Sequence, residues 1–286
     1  MKFHKADASV FIPDGLAGDE ALCRVTHLGI GAHQDDCEIM AFHGIQKCFT
    51  SKELWFGAVT ATNGAGSPRA GEYAGCSDAD MAALRRREQE KAAILGNYGA
   101  LIQLNYTSAE VKDTARSGLR SDLVKILRSV RPEVVYTHCP ADKHDTHLAV
   151  AFTAIAALRE LDPGERPTTV YGCEVWRGLD WMNDEDKVPL DVGRRESLSN
   201  GLIGVYDSQV EGGKRYDLAT AGRRRANAVY FESHATDQAE QLWFAMDLTP
   251  LVRDDKLDVA AYVLGYVDKF RSSVAAKIEK YRAGKP

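Results

Sequence analysis

A chain of 286 residues that is 44% apolar and 27% charged has the composition of an ordinary folded protein, with enough apolar side chains for a sizeable core, so disorder is excluded. Its net charge of -5 argues against an extended nucleic-acid surface, which needs clustered basic charge to displace counterions. No run approaches the roughly 18 to 20 apolar residues that span a bilayer, the first seven residues carry no signal core, and the six cysteines form no CxxC pair, so a cytoplasmic protein with reduced thiols and no thiolate zinc site is expected.

The first strong element is a strand over residues 25–32, almost wholly apolar, which stops at His33-Gln34-Asp35-Asp36. A helical pattern follows over about 38–48. The arrangement of strand then polar turn recurs at 55–62, ahead of Asn63-Gly64-Ala65-Gly66. A long helix spans about 79–97 and carries the short basic run Arg85-Arg86-Arg87 among acids. Residues 101–104 read as a strand, and about 117–129 as a helix with Leu123, Ile126, Leu127 and Val130 at three- and four-residue spacing. A strand at 133–137 ends in His138-Cys139-Pro140, and a helix follows over about 148–160. The strand at 169–176 precedes an irregular stretch, about 178–195, rich in Asp, Gly and Pro. A helix over about 257–283 closes the chain, with Val259, Tyr262, Val263, Tyr266, Val267 and Phe270 spaced to face the domain or a second subunit.

Strand and helix alternating in this way indicate an α/β fold, a doubly wound and mostly parallel sheet flanked by helices in a single domain. Its ligand crevice lies beyond the carboxyl ends of the strands. Two polar clusters, about 110 residues apart, follow such ends: His33-Gln34-Asp35-Asp36-Cys37-Glu38 and Asp142-Lys143-His144-Asp145-Thr146-His147.

A histidine and a carboxylate three residues later, at a strand-to-helix turn, can both reach one small cation, and the second cluster can add a third ligand. Zinc in hydrolytic sites takes three N or O ligands and leaves a fourth position to water, whose pKa falls to about 7. Asp35, beside the ligand, is then placed to act as general base, and His144 as a separate group that stabilises an oxyanion and protonates the leaving amine. Taken singly, these residues have blander readings: lone histidines such as His4, His27 and His43 as packed or surface residues, and paired aspartates as a helix cap complementing the macrodipole. Two clusters at the right ends of parallel strands favour the metal.

The run Gly31-Ala32-His33-Gln34-Asp35-Asp36-Cys37-Glu38 resembles the Ala-His-Pro-Asp-Asp-x-Glu signature of the PIG-L (LmbE-like) deacetylase family, and Pro140-Ala141-Asp142-Lys143-His144-Asp145-Thr146-His147 resembles its second signature, Asp-x-His-Pro-Asp-His. Fainter similarities extend to Asn63-Gly64, an Arg-x-x-Glu helix ending at Leu95-Gly96, Tyr206-Asp207-Ser208-Gln209 and Ala239-Glu240. The resemblance implies a Rossmann-like fold over 1–286, with about 20–165 as the metal-binding part and about 166–286 completing the pocket. It implies a divalent metal, zinc first, on His33, Asp36 and His147, with Asp35 as base and His144 as acid. It further implies hydrolysis of an N-acyl group, acetyl first, on a small molecule that contains an amino sugar such as N-acetylglucosamine.

Two positions depart from the family pattern. Gln34 replaces a proline, which costs stiffness in the turn. Asp145-Thr146 stands where Pro-Asp is expected, so the carboxylate that orients the acid histidine is missing, and Asp142, Asp145 and Thr146 are the candidates to replace it. For the substrate, Arg85 (or Arg87, the register being ambiguous) is a candidate to grip hydroxyl or phosphate oxygens, weighed against a charged solvent face with ion pairs at helical spacing. Asn63 either lines the mouth of the site or shapes the turn with Gly64. His234 reads as a surface residue, and Trp176, Trp181 and Trp243 as core or interface anchors rather than sugar platforms.

Metal-assisted deacetylation is the leading expectation, acting on a small-molecule amide without nucleic acid, without a membrane span and with self-association open. Its alternatives are a sugar- or nucleotide-binding module impaired by the loss at Thr146, and a zinc amidase for a non-sugar conjugate. A serine hydrolase lacks its Gly-x-Ser-x-Gly elbow here, and a dinucleotide oxidoreductase its glycine fingerprint.

Overall fold

The computed structural model describes residues 1–115 and 118–284. In chain order the first half contains β1 (Ser9–Phe11), α1 (Gly18–Cys23), β2 (His27–Gly31), α2 (Asp36–Met40), α3 (Phe42–Cys48), β3 (Phe56–Thr62), α4 (Asp78–Leu95), β4 (Ala100–Tyr106), α5 (Ser108–Lys112), α6 (Leu119–Val130) and β5 (Val134–His138). The second half adds α7 (Asp145–Arg159), β6 (Thr169–Cys173), β7 (Val188–Asp191), α8 (Glu196–Gly204), α9 (Asp207–Val210), α10 (Tyr216–Phe231), β8 (Leu242–Asp247), α11 (Thr249–Arg253) and α12 (Val259–Arg282). The expected start of a helix at 117 lies outside the described residues.

The eight strands among the described residues join one sheet in the order β1-β4-β3-β2-β5-β6-β8-β7. The central five are parallel, while β1, β7 and β8 pair antiparallel at the two edges. β2 and β3 are buried throughout, as suits parallel strands covered on both faces. Apolar side chains divide into two layers. One gathers Leu28, Ile30, Val59 and Val135 with α6 and α7, the other Phe56, Ala58 and Tyr136 with α2, α3 and α8. The fold is therefore mixed α/β, with helices on an eight-stranded sheet.

The sheet also sets how closely α2 approaches β2. A Cβ at Gly29 would stand 2.8 Å from Cys37 Sγ, and one at Gly31 would stand 3.0 Å from Asp36 Cβ. Glycine at these two places lets the first turn of α2, with Asp36, lie directly over the strand end.

Local differences from the sequence expectation have identifiable causes. The helix expected over 38–48 is broken at Ala41, between α2 and α3. Buried Arg224 from α10 donates to the carbonyls of Glu38 and Ile39 at 2.9 and 3.0 Å, satisfying acceptors that a continuous helix would have used. The stretch at 178–195 contains β7, whose partner β8 is more than 50 residues away. No described helix is long and apolar enough to cross a membrane.

Candidate active site

The first cluster begins where β2 ends. Asp35 is held at φ +90°, a conformation costly for a residue with a side chain, as the N-cap position of α2. Its N–H donates to Gln89 Oε1 at 3.3 Å, and its Oδ2 accepts from Arg85 Nη2 at 2.8 Å. Burial pushes the Asp35 carboxyl up to about 7 against the opposing pull of the Arg85 guanidinium. Oδ1 of Asp35 has no hydrogen-bond partner among the described residues.

Asp36 points the other way, into the protein. Its Oδ2 accepts from the His33 N–H at 2.7 Å and lies 3.4 Å from His33 Nδ1, while Oδ1 lies 3.4 Å from His147 Nε2. His33 Nδ1 and His147 Nε2 are themselves 3.2 Å apart. Donors about 2.0 to 2.1 Å from a tetrahedral ion stand about 3.3 Å from one another, so this spacing suits one cation. Burial disfavours the Asp36 carboxylate, but the neighbouring His147 and His138 rings outweigh it and hold the carboxyl well below the usual range.

The second cluster supplies His147 from the first turn of α7. Its Nδ1 donates to Asp142 Oδ2 at 3.0 Å, which leaves Nε2 as the bare nitrogen facing Asp36 and His33. Asp142 is in turn fixed by the N–H groups of Lys143 and Val175. A carboxylate behind a ligating imidazole selects its tautomer and raises its basicity. Burial works against the charged form of His147, yet Asp36 and Asp142 raise its pKa above the ordinary value.

The sequence reading missed His138. This side chain is fully buried, its ring stacked on that of His147 with centroids 3.9 Å apart and its Nε2 3.2 Å from Asp36 Oδ2. The signal was present: a histidine ends an otherwise apolar strand, as His33 follows another. Among the described residues, two overlapping donor sets could hold a metal ion, His33 with His144 and His147, and Asp36 with His138 and His147.

His144 caps α7, its Nδ1 accepting from the Thr146 N–H at 3.2 Å. This bond places the proton of a neutral imidazole on Nε2. Burial, reinforced by His147 and His33, lowers its pKa. The groups expected to replace the missing carboxylate are therefore arranged differently. Asp142 serves His147, Asp145 is exposed and makes no described bond to His144, and Thr146 contributes its backbone N–H rather than its hydroxyl.

Of the two candidate arginines for substrate contact, Arg87 is exposed and Arg85 is buried. The Arg85 guanidinium, on the cavity wall, donates to Asp35, the Gln34 carbonyl and Glu88. Asn63 shapes the turn, its Oδ1 accepting from the Ala65 N–H at 3.1 Å, ahead of Gly64 at φ +73°. His234 is exposed.

His33, Asp35, Asp36, Arg85, His144 and His147 line a cavity of ≈ 540 Å³ that also takes in Ser67, Lys112, Trp176, Lys214 and Tyr216. The Trp176 indole stacks on the His144 ring at 6.2 Å, so this tryptophan belongs to the site rather than to the core. Nothing local in the sequence distinguishes it from Trp181 or Trp243.

Residues 28–158, from β2 through α7, match the PIG-L family, described as GlcNAc-PI de-N-acetylase. Just under half of the chain is thus similar to that family. No curated protein matches the chain. Solved structures similar to this chain include the conserved protein TT1542 from Thermus thermophilus, 19% identical, with 78% of this chain and 94% of that one covered at a TM-score of 0.59. Another is the N,N'-diacetylchitobiose deacetylase from Pyrococcus horikoshii, 22% identical over 77% and 83% of the two chains, TM-score 0.55. A third is GalB, the 4-carboxy-2-hydroxymuconate hydratase from Pseudomonas putida KT2440, 18% identical over 78% and 95%, TM-score 0.53. Both a deacetylase and a hydratase thus share the fold of this chain, and the choice of reaction falls to the site.

Proposed function

We propose that this chain is a divalent-metal-dependent amidase that removes an N-acyl group, acetyl in the simplest case, from a small molecule containing an amino sugar. The observation that carries the reading is the convergence of His33 Nδ1, His147 Nε2 and the Asp36 carboxylate to 3.2–3.4 Å, with a separate carboxylate and a separate imidazole on the same cavity. Two imidazoles and a carboxylate suit zinc.

A bound zinc ion would lower the pKa of water in its open position and polarise the amide carbonyl. Asp35 receives the proton of the attacking water on its free Oδ1, while Arg85 on Oδ2 fixes the carboxylate's direction. A carboxyl lifted to about 7 is poised for that task. His144 offers Nε2–H to the oxygen that becomes negative in the tetrahedral intermediate. With Nδ1 accepting from the Thr146 N–H and no carboxylate behind it, this ring serves as a neutral donor. The proton taken up by Asp35 is then the one delivered to the amine nitrogen as the C–N bond breaks, giving a carboxylic acid and a free amine.

The test is acetate release from a panel of N-acetylated amino sugars by zinc-loaded protein, beside metal-free protein and the variants His33→Ala and Asp35→Asn. Turnover that depends on metal and collapses in both variants is expected. Undiminished turnover in both would overturn the mechanism.

A further inference from the structure

An unbroken line of hydrogen bonds joins the cavity wall to the candidate base. Gln209, on α9, lines the cavity. Its Nε2 donates to Ser208 Oγ at 3.2 Å, and that hydroxyl donates to Glu88 Oε2 at 2.7 Å. Glu88, on α4, also accepts from the Ser208 N–H at 2.8 Å and from Arg85 Nη1 at 3.3 Å. Arg85 Nη2 ends the line on Asp35 Oδ2 at 2.8 Å. Ser208, Glu88 and Arg85 are all buried, so the line is shielded from water although it ties together segments 120 residues apart.

Chemistry fixes the direction of each bond. A carboxylate that faces a guanidinium and a backbone N–H accepts, so the one hydroxyl proton of Ser208 goes to Glu88. The hydroxyl is left as an acceptor, which turns the NH2 group of Gln209 toward it and leaves the carboxamide oxygen over. That oxygen accepts no bond among the described residues. Gln34, Gln46 and Gln103 also have an unpartnered carboxamide oxygen, but theirs are enclosed in the protein and that of Gln209 is not. A buried network with every member bonded is rigid, so this acceptor is held in one orientation on the cavity.

We propose that Gln209 is a specificity-determining contact whose Oε1 accepts from a ring hydroxyl of the substrate, and that Glu88 is the positioning residue that locks this contact and Asp35 into one unit. The inference rests on the amidase reading and goes beyond it: the wall built by the second half of the chain reads a hydroxyl, and the same network aims the base.

The experiment measures kcat and KM of zinc-loaded protein for the methyl glycoside of N-acetylglucosamine and for its monodeoxy analogues. Gln209→Met is expected to lower kcat/KM for the parent glycoside by about tenfold, and to leave it unchanged for the analogue that lacks the contacted hydroxyl. In Glu88→Gln, where an NH2 group meets the donors of Ser208 and Arg85, kcat falls by about tenfold or more and the discrimination between parent and analogue shrinks, while zinc content holds. Ser208→Ala keeps the backbone bond to Glu88 and falls between Glu88→Gln and the unaltered protein. No loss in Gln209→Met, or a loss of the same size for every glycoside, overturns the contact. Unchanged kcat in Glu88→Gln overturns the link to the base. Calorimetry of the same glycosides with zinc-loaded Asp35→Asn gives a readout free of turnover. Binding that needs one hydroxyl and Gln209, with no acetate released by the unaltered protein, retains the contact and rejects the amidase. Neither binding nor turnover with any glycoside overturns both.

Discussion

Asp35 and Asp36 are neighbours in sequence, yet their carboxyls are pushed in opposite directions, the first up to about 7 by burial and the second well down by His147 and His138. In the proposed mechanism this difference separates a base from a metal ligand. Asp35→Asn should therefore lower kcat by about 10² to 10⁴ while zinc content, measured by elemental analysis, stays at the level of the unaltered protein. Asp142 acts one step further out, behind His147. Asp142→Ala should weaken zinc binding by about 10- to 100-fold in a competitive chelator titration. Unaltered affinity in that variant would show that the His147 tautomer does not depend on Asp142.

At the scale of elements, α4 carries the side chains that hold Asp35 in place. Arg85, Glu88 and Gln89 lie on its buried face, and Ser77 with Asp80 closes its start in a capping box. Ser77→Ala should cost about 1 kcal/mol of stability in a denaturant titration. The segment after β6 is anchored by buried Glu174, which accepts from the Leu179 N–H and from Trp181 Nε1. Burial raises the Glu174 carboxyl from 4.5 to about 7. A folded-state pKa above the unfolded one means that its contribution to stability is complete below about 4.5 and is lost as pH rises through about 7. In Glu174→Gln the stability relative to the unaltered protein should therefore improve between pH 5 and pH 8, read from Tm at matched pH; a pH-independent difference would reject the shift.

Over the whole molecule, the sheet joins the two halves of the chain: β6, β8 and β7 extend the parallel core, and α9 and α10 bring Gln209, Lys214 and Tyr216 to the cavity. The strands of the parallel core were legible because burial on both faces leaves continuous apolar runs. Beyond residue 195, α12 was legible from its apolar spacing, but α8 to α11 were not. α10 buries Thr220, Arg224 and Ala228, a stripe of small and charged side chains that carries no hydrophobic period. β7 was hidden inside a polar stretch because its pairing with β8 is long-range.

The sequence by itself determined the two polar clusters, their placement at strand ends and the resemblance they carry, because each is a short run whose meaning depends on its immediate neighbours. Tertiary structure alone decided which nitrogen of His144 keeps its proton, that Asp142 supports His147, that Arg85 serves Asp35, and that His138 and Trp176 border the site. Those are contacts between segments distant in the chain or choices of hydrogen-bond direction, and local composition contains no record of either.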